Sequence, residues 1–210
     1  MKNFQTIKRL AEEEDLTAQY ELGLMYARGE GVEQDYSTAI TWFRKAAHQG
    51  SDLAQNCLGI LYSQGKGVEQ DYKKAANWYK KAAILGNSNA QFNLACMYRN
   101  GLGVKQDFDQ AFTWYREAAQ QGDSAAQNNL AVMHKNGEGV EVDLDKAFQL
   151  FKLAAAQGDS KAQANLAEMY EKGWGTPVDK EAALLFYQKS AEKDNPRAKA
   201  KVLNFREEHQ

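Results

Sequence analysis

Apolar positions along the chain follow a helical period inside a longer period. Within residues 90–125, a first segment places alanine, leucine, methionine and tyrosine at the 3.6-residue spacing of one helix face. A second segment carries Trp114 and Tyr115 and then an alanine pair, and a polar, glycine-containing stretch separates the two segments. This pattern predicts two helices joined by a turn, and a shift of 36 residues in either direction reproduces it.

Small and polar markers keep the same register along the chain. One aspartate recurs in each copy, at Asp35, Asp71, Asp107, Asp143 and Asp179. A GxG pair precedes each of them, at Gly29/Gly31, Gly65/Gly67, Gly101/Gly103, Gly137/Gly139 and Gly173/Gly175. A strict period in this range is typical of an all-α solenoid, in which each helix pair buries its apolar face against its neighbours.

The repeats leave no linker, so we predict a single domain over residues 1–210. Its predicted parts are an N-terminal capping helix (1–17), repeats 18–53, 54–89, 90–125, 126–161 and 162–197, and a C-terminal capping helix (198–210). Terminal half-repeats with polar ends are expected because one face of a stack's last unit has no neighbour.

Local signals predict where the helices begin, end and pack. Residues able to cap the first helices are Asp15, Ser51, Asn87, Asp123, Asp159 and Asn195, and the aspartate of each copy is expected to cap the second helix. The second helices are expected to bury Trp42, Trp78 and Trp114 in the core, with Leu150 and Phe186 at the same position. Gly50, Gly86, Gly122 and Gly158 are expected to end these helices.

Charge and composition exclude several classes of partner. The formal net charge is -2, and we read no basic block in the chain, so neither nucleic acid nor a membrane surface is an expected partner. No apolar run approaches the ~20 residues of a membrane span. We therefore predict a cytoplasmic protein, and we expect Cys57 and Cys96 to be buried or half-buried free thiols, since they occupy different repeat positions.

The repeated pattern AxxxLGxxYxxGxGVxxDxxxAxxWYxxAAxxG resembles the Sel-one-like repeat (SLR) family, a branch of the tetratricopeptide-like helical solenoids. The resemblance covers residues 18–197, and a plain tetratricopeptide repeat of 34 residues is the second choice. It implies a right-handed α-α superhelix whose first helices line a concave groove, and a role as an adaptor or scaffold for proteins. We also expect a monomer.

No motif in the chain points to catalysis, a cofactor or a metal. The GxG pairs lack the Lys-Ser/Thr of a phosphate loop, and the histidines lie at no metal-ligand spacing. Two S-x-x-K matches, Ser63–Lys66 and Ser190–Lys193, occur without the S-D-N and K-T-G motifs of β-lactamases. We therefore predict a non-enzyme without cofactors.

Differences among the copies indicate a candidate binding face. The glutamine at Gln19, Gln55, Gln91, Gln127 and Gln163 never varies, so we interpret it as structural. Variable positions on the first helices give the predicted groove residues Tyr20, Arg28, Asn56, Gln64, Phe92, Arg99, Asn100, Asn128, Lys135 and Asn136. Amides and Arg side chains suit the backbone and carboxylates of a peptide, so we expect a protein or peptide partner with an acidic residue or a free C-terminus.

Three alternatives stay open on the sequence alone. The first is a rigid binder of one folded partner, such as a toxin-neutralising immunity protein, as the resemblance suggests. The second is weak β-lactam binding or hydrolysis through Ser63 or Ser190. The third is a solvated helix face without a ligand, since exposed polar residues are common on any protein surface.

Overall fold

The computed structural model describes residues 4–207, and this part of the chain is all-α. Its helices are α1 Phe4–Glu12, α2 Leu16–Arg28, α3 Tyr36–His48, α4 Asp52–Gln64, α5 Tyr72–Ile84, α6 Ser88–Asn100, α7 Phe108–Gln120, α8 Ser124–Asn136, α9 Leu144–Ala156, α10 Ser160–Lys172, α11 Lys180–Glu192 and α12 Pro196–Glu207. Each first helix begins two residues before the predicted start of its repeat. None of the described helices is long and apolar enough to cross a membrane.

The chain divides into two compact units, Met1–Asp107 and Phe108–Gln210, which are described separately. Within each unit, every helix packs against the one that follows it, as a solenoid of helix pairs requires. The first unit contains α1 to α6 and the second contains α7 to α12. That the whole chain forms a single domain stays a prediction.

Side-chain caps fix the start of most helices. The predicted first-helix caps Asp15, Ser51, Asn87, Asp123, Asp159 and Asn195 each accept a hydrogen bond from the backbone N–H three residues on. Asp35, Asp71, Asp143 and Asp179 cap second helices in the same way. These bonds satisfy donors that have no partner inside the helix, so the capping prediction is confirmed for these residues.

The aromatic core of the second helices differs from the prediction. The fully buried ring is the residue after the predicted tryptophan position, at Phe43, Tyr79, Tyr115, Phe151 and Tyr187. Trp42, Trp78 and Trp114 are only half-buried. Trp42 packs over the cluster of α1 and α2, and Trp78 over the cluster of α3 and α4, so each indole covers the edge of the preceding helix pair. A large indole is rarely enclosed completely, whereas the smaller rings fit between layers of alanine.

The turn inside each repeat needs its second glycine for contact between repeats. Gly103 has φ +69°, and a Cβ atom at this position would overlap the backbone of Tyr72, the first residue of α5 in the preceding repeat. A Cβ atom at Gly67 would likewise overlap the backbone of Tyr36, the first residue of α3. The GxG pair therefore brings one repeat's turn against the start of the preceding second helix, where no side chain fits.

Both ends of the stack are half-repeats, as predicted. Ile7 and Ala11 of α1 are buried at the positions that Phe43 and Ala47 hold in the next repeat. Val202 and Phe205 of α12 are buried against α11. The last part of the predicted C-terminal cap, residues 208–210, lies outside the described residues.

Candidate functional site

The ten predicted groove residues occupy the first helices, but they differ in exposure. Arg28, Gln64, Asn100 and Asn136 are exposed; Tyr20, Phe92, Arg99 and Lys135 are half-buried; Asn56 and Asn128 are buried. The first helices of the first unit are α2, α4 and α6, and we call the surface that they form at these repeat positions the first-helix face of the first unit. The corresponding surface of α8 and α10 is the first-helix face of the second unit.

Two of the ten predicted residues are held by amide pairs between neighbouring first helices. Asn93 donates to the Asn56 carbonyl at 3.4 Å, and Asn165 donates to the Asn128 carbonyl at 2.9 Å. Because Asn56 and Asn128 are 8% and 5% exposed, these pairs stabilise packing inside each unit. A groove role for them does not fit this position, and we leave both out of the proposed contact set.

Lys135 is also engaged inside the protein. Its ammonium lies 3.3 Å from the Glu168 carboxylate, which Arg197 approaches to 2.7 Å from α12. Burial raises the pKa of Glu168, but the two cations outweigh it and hold that pKa below its ordinary value. Lys135 therefore already has a carboxylate partner in Glu168, and its predicted role in binding a ligand stays a prediction.

A second set of polar contacts occupies the end of α10. Lys201 of α12 lies 2.7 Å from the Glu171 carboxylate, and Tyr187 donates to Glu171 at 2.7 Å. Burial, and then the Glu171 carboxylate, raise the pKa of the Tyr187 phenol. On the first-helix face of the second unit, the acidic side chains of α10 thus form ion pairs with α12, the C-terminal helix of that unit.

The first-helix face of the first unit has a different character. The Tyr20 ring lies half-buried beside Phe43, with ring centroids 6.0 Å apart, and burial raises the pKa of its phenol. Arg28 forms an ion pair with Glu30 at 3.4 Å, and both side chains are more than half exposed. Such an exposed pair contributes little to stability, so Arg28 can exchange its partner at low cost.

The invariant glutamines are structural, as predicted. Gln19, Gln55, Gln91, Gln127 and Gln163 are buried, and each donates its side-chain N–H to a carbonyl at the end of the preceding second helix, over 3.2–3.4 Å. They therefore link each first helix to the helix before it.

Neither Ser–Lys match forms a catalytic pair in the structure. Ser63 donates to the Ile60 carbonyl at 2.9 Å, while the Lys66 ammonium lies over the Tyr36 ring. Ser190 is buried and donates to the Ser160 carbonyl at 2.6 Å. Since both hydroxyl protons are held by backbone carbonyls, neither serine is aligned with its lysine as a nucleophile requires.

The remaining reactive groups are His134 and the two thiols. His134 is buried beside the Phe112 ring, and its Nδ1 has no hydrogen-bond partner among residues 4–207. Cys57 and Cys96 are half-buried free thiols, as predicted, and burial raises the pKa of Cys57 to about 11. Within the part of the chain that the structure describes, no three His, Cys, Asp or Glu residues gather as a metal site would need.

Sequence reasoning missed the residues that engage the predicted groove from other helices. Asn93, Asn165 and Glu168 contact groove residues 33–37 positions away in the chain, and Arg197 in turn contacts Glu168. A search for complementary side chains separated by about one repeat would have found them, because equivalent residues of adjacent repeats lie side by side.

Comparison with known proteins places this geometry in a family. The Sel1 repeat model matches residues 16–51, 52–87, 88–123, 124–159 and 160–195. A solved Sel1 repeat protein from Oxalobacter formigenes is 34% identical, with a TM-score of 0.86 over 90% of this chain and 75% of that one. None of the curated proteins matches the chain.

Other solved structures are similar over different lengths. A protective antigen of uropathogenic Escherichia coli with an SLR fold is 37% identical, with a TM-score of 0.88 over 93% of this chain. The present chain spans only 42% of that protein. An immunity protein from Pseudomonas aeruginosa is 24% identical, with a TM-score of 0.54 over 83% of this chain and 64% of that one, which is a likeness of fold alone.

Proposed function

The chain belongs to the Sel1 repeat family, and from this premise we propose that it is a non-catalytic scaffold that binds a protein partner. Proteins of this family are typically interaction scaffolds. The serines, whose hydroxyl groups donate to backbone carbonyls, support a role without catalysis. That the protein acts as a cytoplasmic monomer stays a prediction, which cell fractionation and light scattering would check.

We place the binding site on the first-helix face of the first unit. The observation that carries this choice is the contrast between the units. In the second unit Lys135, Glu168 and Glu171 are held in ion pairs, whereas in the first unit Arg28 has only an exposed ion pair and Gln64 is exposed. A partner can bind Arg28 and Gln64 without breaking a half-buried ion pair.

The side chains of this face suit a peptide in extended form. Tyr20 and Phe92 are half-buried aromatic groups that can contact apolar side chains, and Gln64 and Asn100 can bond to peptide groups. Arg28 and Arg99 can bind a carboxylate through two parallel N–H groups. The proposed ligand is a peptide segment with an acidic residue or a free C-terminus.

Peptide arrays carrying either a free or an amidated C-terminus test this proposal. The strongest binders are then titrated against the parent protein and the Arg28→Ala, Gln64→Ala double variant. We expect the double variant to bind at least tenfold more weakly, which corresponds to about 1.4 kcal/mol. The matched control is Asn136→Ala with Lys172→Ala, which changes the same repeat position in the second unit and should stay within about twofold of the parent.

Two outcomes would contradict the proposal. Equal weakening by the control pair would show that the effect is not local to the first unit. Binding of a folded protein without binding of any short peptide would instead favour the rigid-binder alternative, for which the likeness to immunity proteins supplies a fold but no partner.

A further inference from the structure

In the first unit, the second helix of the first repeat (α3) and that of the second repeat (α5) carry only basic charges. Neither α3, with the sequence YSTAITWFRKAAH, nor α5, with YKKAANWYKKAAI, contains an aspartate or glutamate. Their exposed cations are Arg44, Lys45, Lys73, Lys74, Lys80 and Lys81, which we call the basic face. The net charge of -2 for the whole chain conceals this local excess.

The repeat fold does not require this charge pattern. The second helices of the second unit mix signs at exposed or half-buried positions: α7 has Asp109, Arg116 and Glu117; α9 has Asp145, Lys146 and Lys152; α11 has Lys180, Glu181, Lys189 and Glu192. The basic face is therefore a property of α3 and α5 alone.

Most of these cations have no carboxylate partner inside the protein. Among residues 4–207, Lys74 pairs with Asp71 at 3.1 Å, but Lys73, Lys80 and Lys81 have no carboxylate within ion-pair distance. The Lys81 ammonium lies 4.3 Å from the centre of the Trp78 ring instead. These lysines can thus accept an external carboxylate without losing an internal ion pair.

Aromatic contacts make the two helices one surface. The His48 ring at the end of α3 meets Trp78 of α5 edge-on, with ring centroids 6.4 Å apart. Ile84, the last residue of α5, is 66% exposed. Half-buried tryptophan and exposed aliphatic groups next to cations are typical of surfaces that bind proteins.

The spacing of the lysines matches a helical partner. Lys73 and Lys80, like Lys74 and Lys81, are seven residues apart, which is about 10.5 Å along a helix axis. If a partner helix packs along α5, those of its side chains that recur every seven residues have the same spacing as these lysines. A polyphosphate backbone fits this surface less well. The carboxylates of Asp35 and Asp71 lie at the starts of α3 and α5, where they would repel phosphate groups.

We propose that the basic face of α3 and α5 docks an acidic α-helix of a partner protein, with carboxylates repeating every seven residues. The proposal rests on the protein-binding function proposed above, but it does not depend on the first-helix face. It gives the chain a second contact surface on the other helices of the same unit.

Two designed helical peptides of equal composition test the proposal. One carries glutamates at seven-residue intervals, and the other carries them in an order without a repeat. We expect fluorescence anisotropy to show at least tenfold tighter binding of the first peptide, with affinity falling as salt increases. Lys73→Glu with Lys80→Glu should weaken this binding at least tenfold.

The matched control is Lys152→Glu with Lys189→Glu, which makes the same charge change on exposed second-helix positions of the second unit and should leave binding within about twofold. Circular dichroism melting confirms that each variant is folded.

Three outcomes would each overturn the proposal: equal binding of the two peptides, unchanged binding by the Lys73/Lys80 variant, or tighter binding of duplex DNA. If Arg28→Ala with Gln64→Ala abolishes the peptide's binding and the lysine variant does not, the helix binds the first-helix face; that outcome overturns this inference while supporting the proposed function.

Discussion

The amide oxygen of Gln55, like that of Gln163, is buried without a hydrogen-bond partner among residues 4–207. In two other repeats, Gln49 and Gln157 donate to the equivalent oxygens of Gln19 and Gln127, both over 2.9 Å. In the second repeat the donor's position is held by Leu85, which is 56% exposed, so Oε1 of Gln55 has no such donor. An unsatisfied buried acceptor lowers stability.

Leu85→Gln should therefore stabilise the protein, because it supplies the missing donor and removes an exposed leucine. We expect a gain of about 1 kcal/mol in the free energy of unfolding, measured by urea titration. In a Gln55→Ala background the same substitution should give no gain, since the acceptor is gone. A similar effect in both backgrounds would show that the hydrogen bond is not its cause.

His134 occupies a position that is tyrosine at Tyr26, Tyr62, Tyr98 and Tyr170. Burial lowers the pKa of its imidazole, Lys146 lowers it further, and Asp143 acts in the opposite direction. The folded state thus favours the neutral ring, while the unfolded chain takes up a proton near pH 6.5. The contribution of His134 to the free energy of unfolding is therefore fully present above about pH 6.5. It is lost as the pH falls toward the lower pKa that the imidazole has in the folded state.

His134→Tyr should reduce the fall in stability on acidification. We expect the difference in melting temperature between pH 7.5 and pH 5 to be smaller in the variant than in the parent, because the titrating group is absent. Taking the difference between the two proteins cancels contributions from carboxylates. Parallel curves for the two proteins would contradict the assignment.

Tyr115 and Trp114 test the corrected core assignment. Tyr115 is 1% exposed and Trp114 is half-buried, so truncating Tyr115 should leave the larger cavity. We expect Tyr115→Ala to cost about 3–5 kcal/mol and Trp114→Ala at least about 1 kcal/mol less, measured by chemical denaturation. The reverse order would restore the tryptophan as the central core residue.

At the scale of the helices and turns, the sequence predicted most of what the structure shows. Caps, glycines and apolar spacing are local signals, so helix boundaries follow from a few neighbouring residues. Which of two adjacent aromatic residues is buried depends on the rotation of a helix against its neighbours. Whether Lys135 is already paired depends on Glu168 in the next repeat. Those facts need the packed structure, and the predicted tryptophan core was wrong for this reason.

The two glycines of one turn provide a matched pair for testing contact between repeats. Gly101 and Gly103 have φ +68° and +69°, but a Cβ atom at Gly101 comes no closer than 3.4 Å to a neighbour, whereas at Gly103 it overlaps the Tyr72 backbone. Both alanine variants carry the same backbone strain. Gly103→Ala should therefore cost about 1–3 kcal/mol more than Gly101→Ala in thermal or chemical unfolding. Equal costs would mean that the turn does not need close contact with the preceding repeat.

At the scale of the whole molecule, the two units have different surfaces. The first-helix face of the second unit is largely occupied by ion pairs to α12, while the first unit presents aromatic, amide and arginine groups on one set of helices and an unbroken basic face on the other. The sequence predicted binding on the first helices but distributed the candidate residues over the first four repeats, and so over both units. The variation among copies does not show which variable residues already have partners.

Hydrogen–deuterium exchange with a bound peptide tests the central claim most directly, because it reports every helix at once. The ligand is the strongest binder found on the free-carboxylate array. The account predicts slower exchange confined to α2, α4 and α6 in the first unit. Slowed exchange in α8 and α10 or on the second helices, with none in α2, α4 and α6, would contradict it.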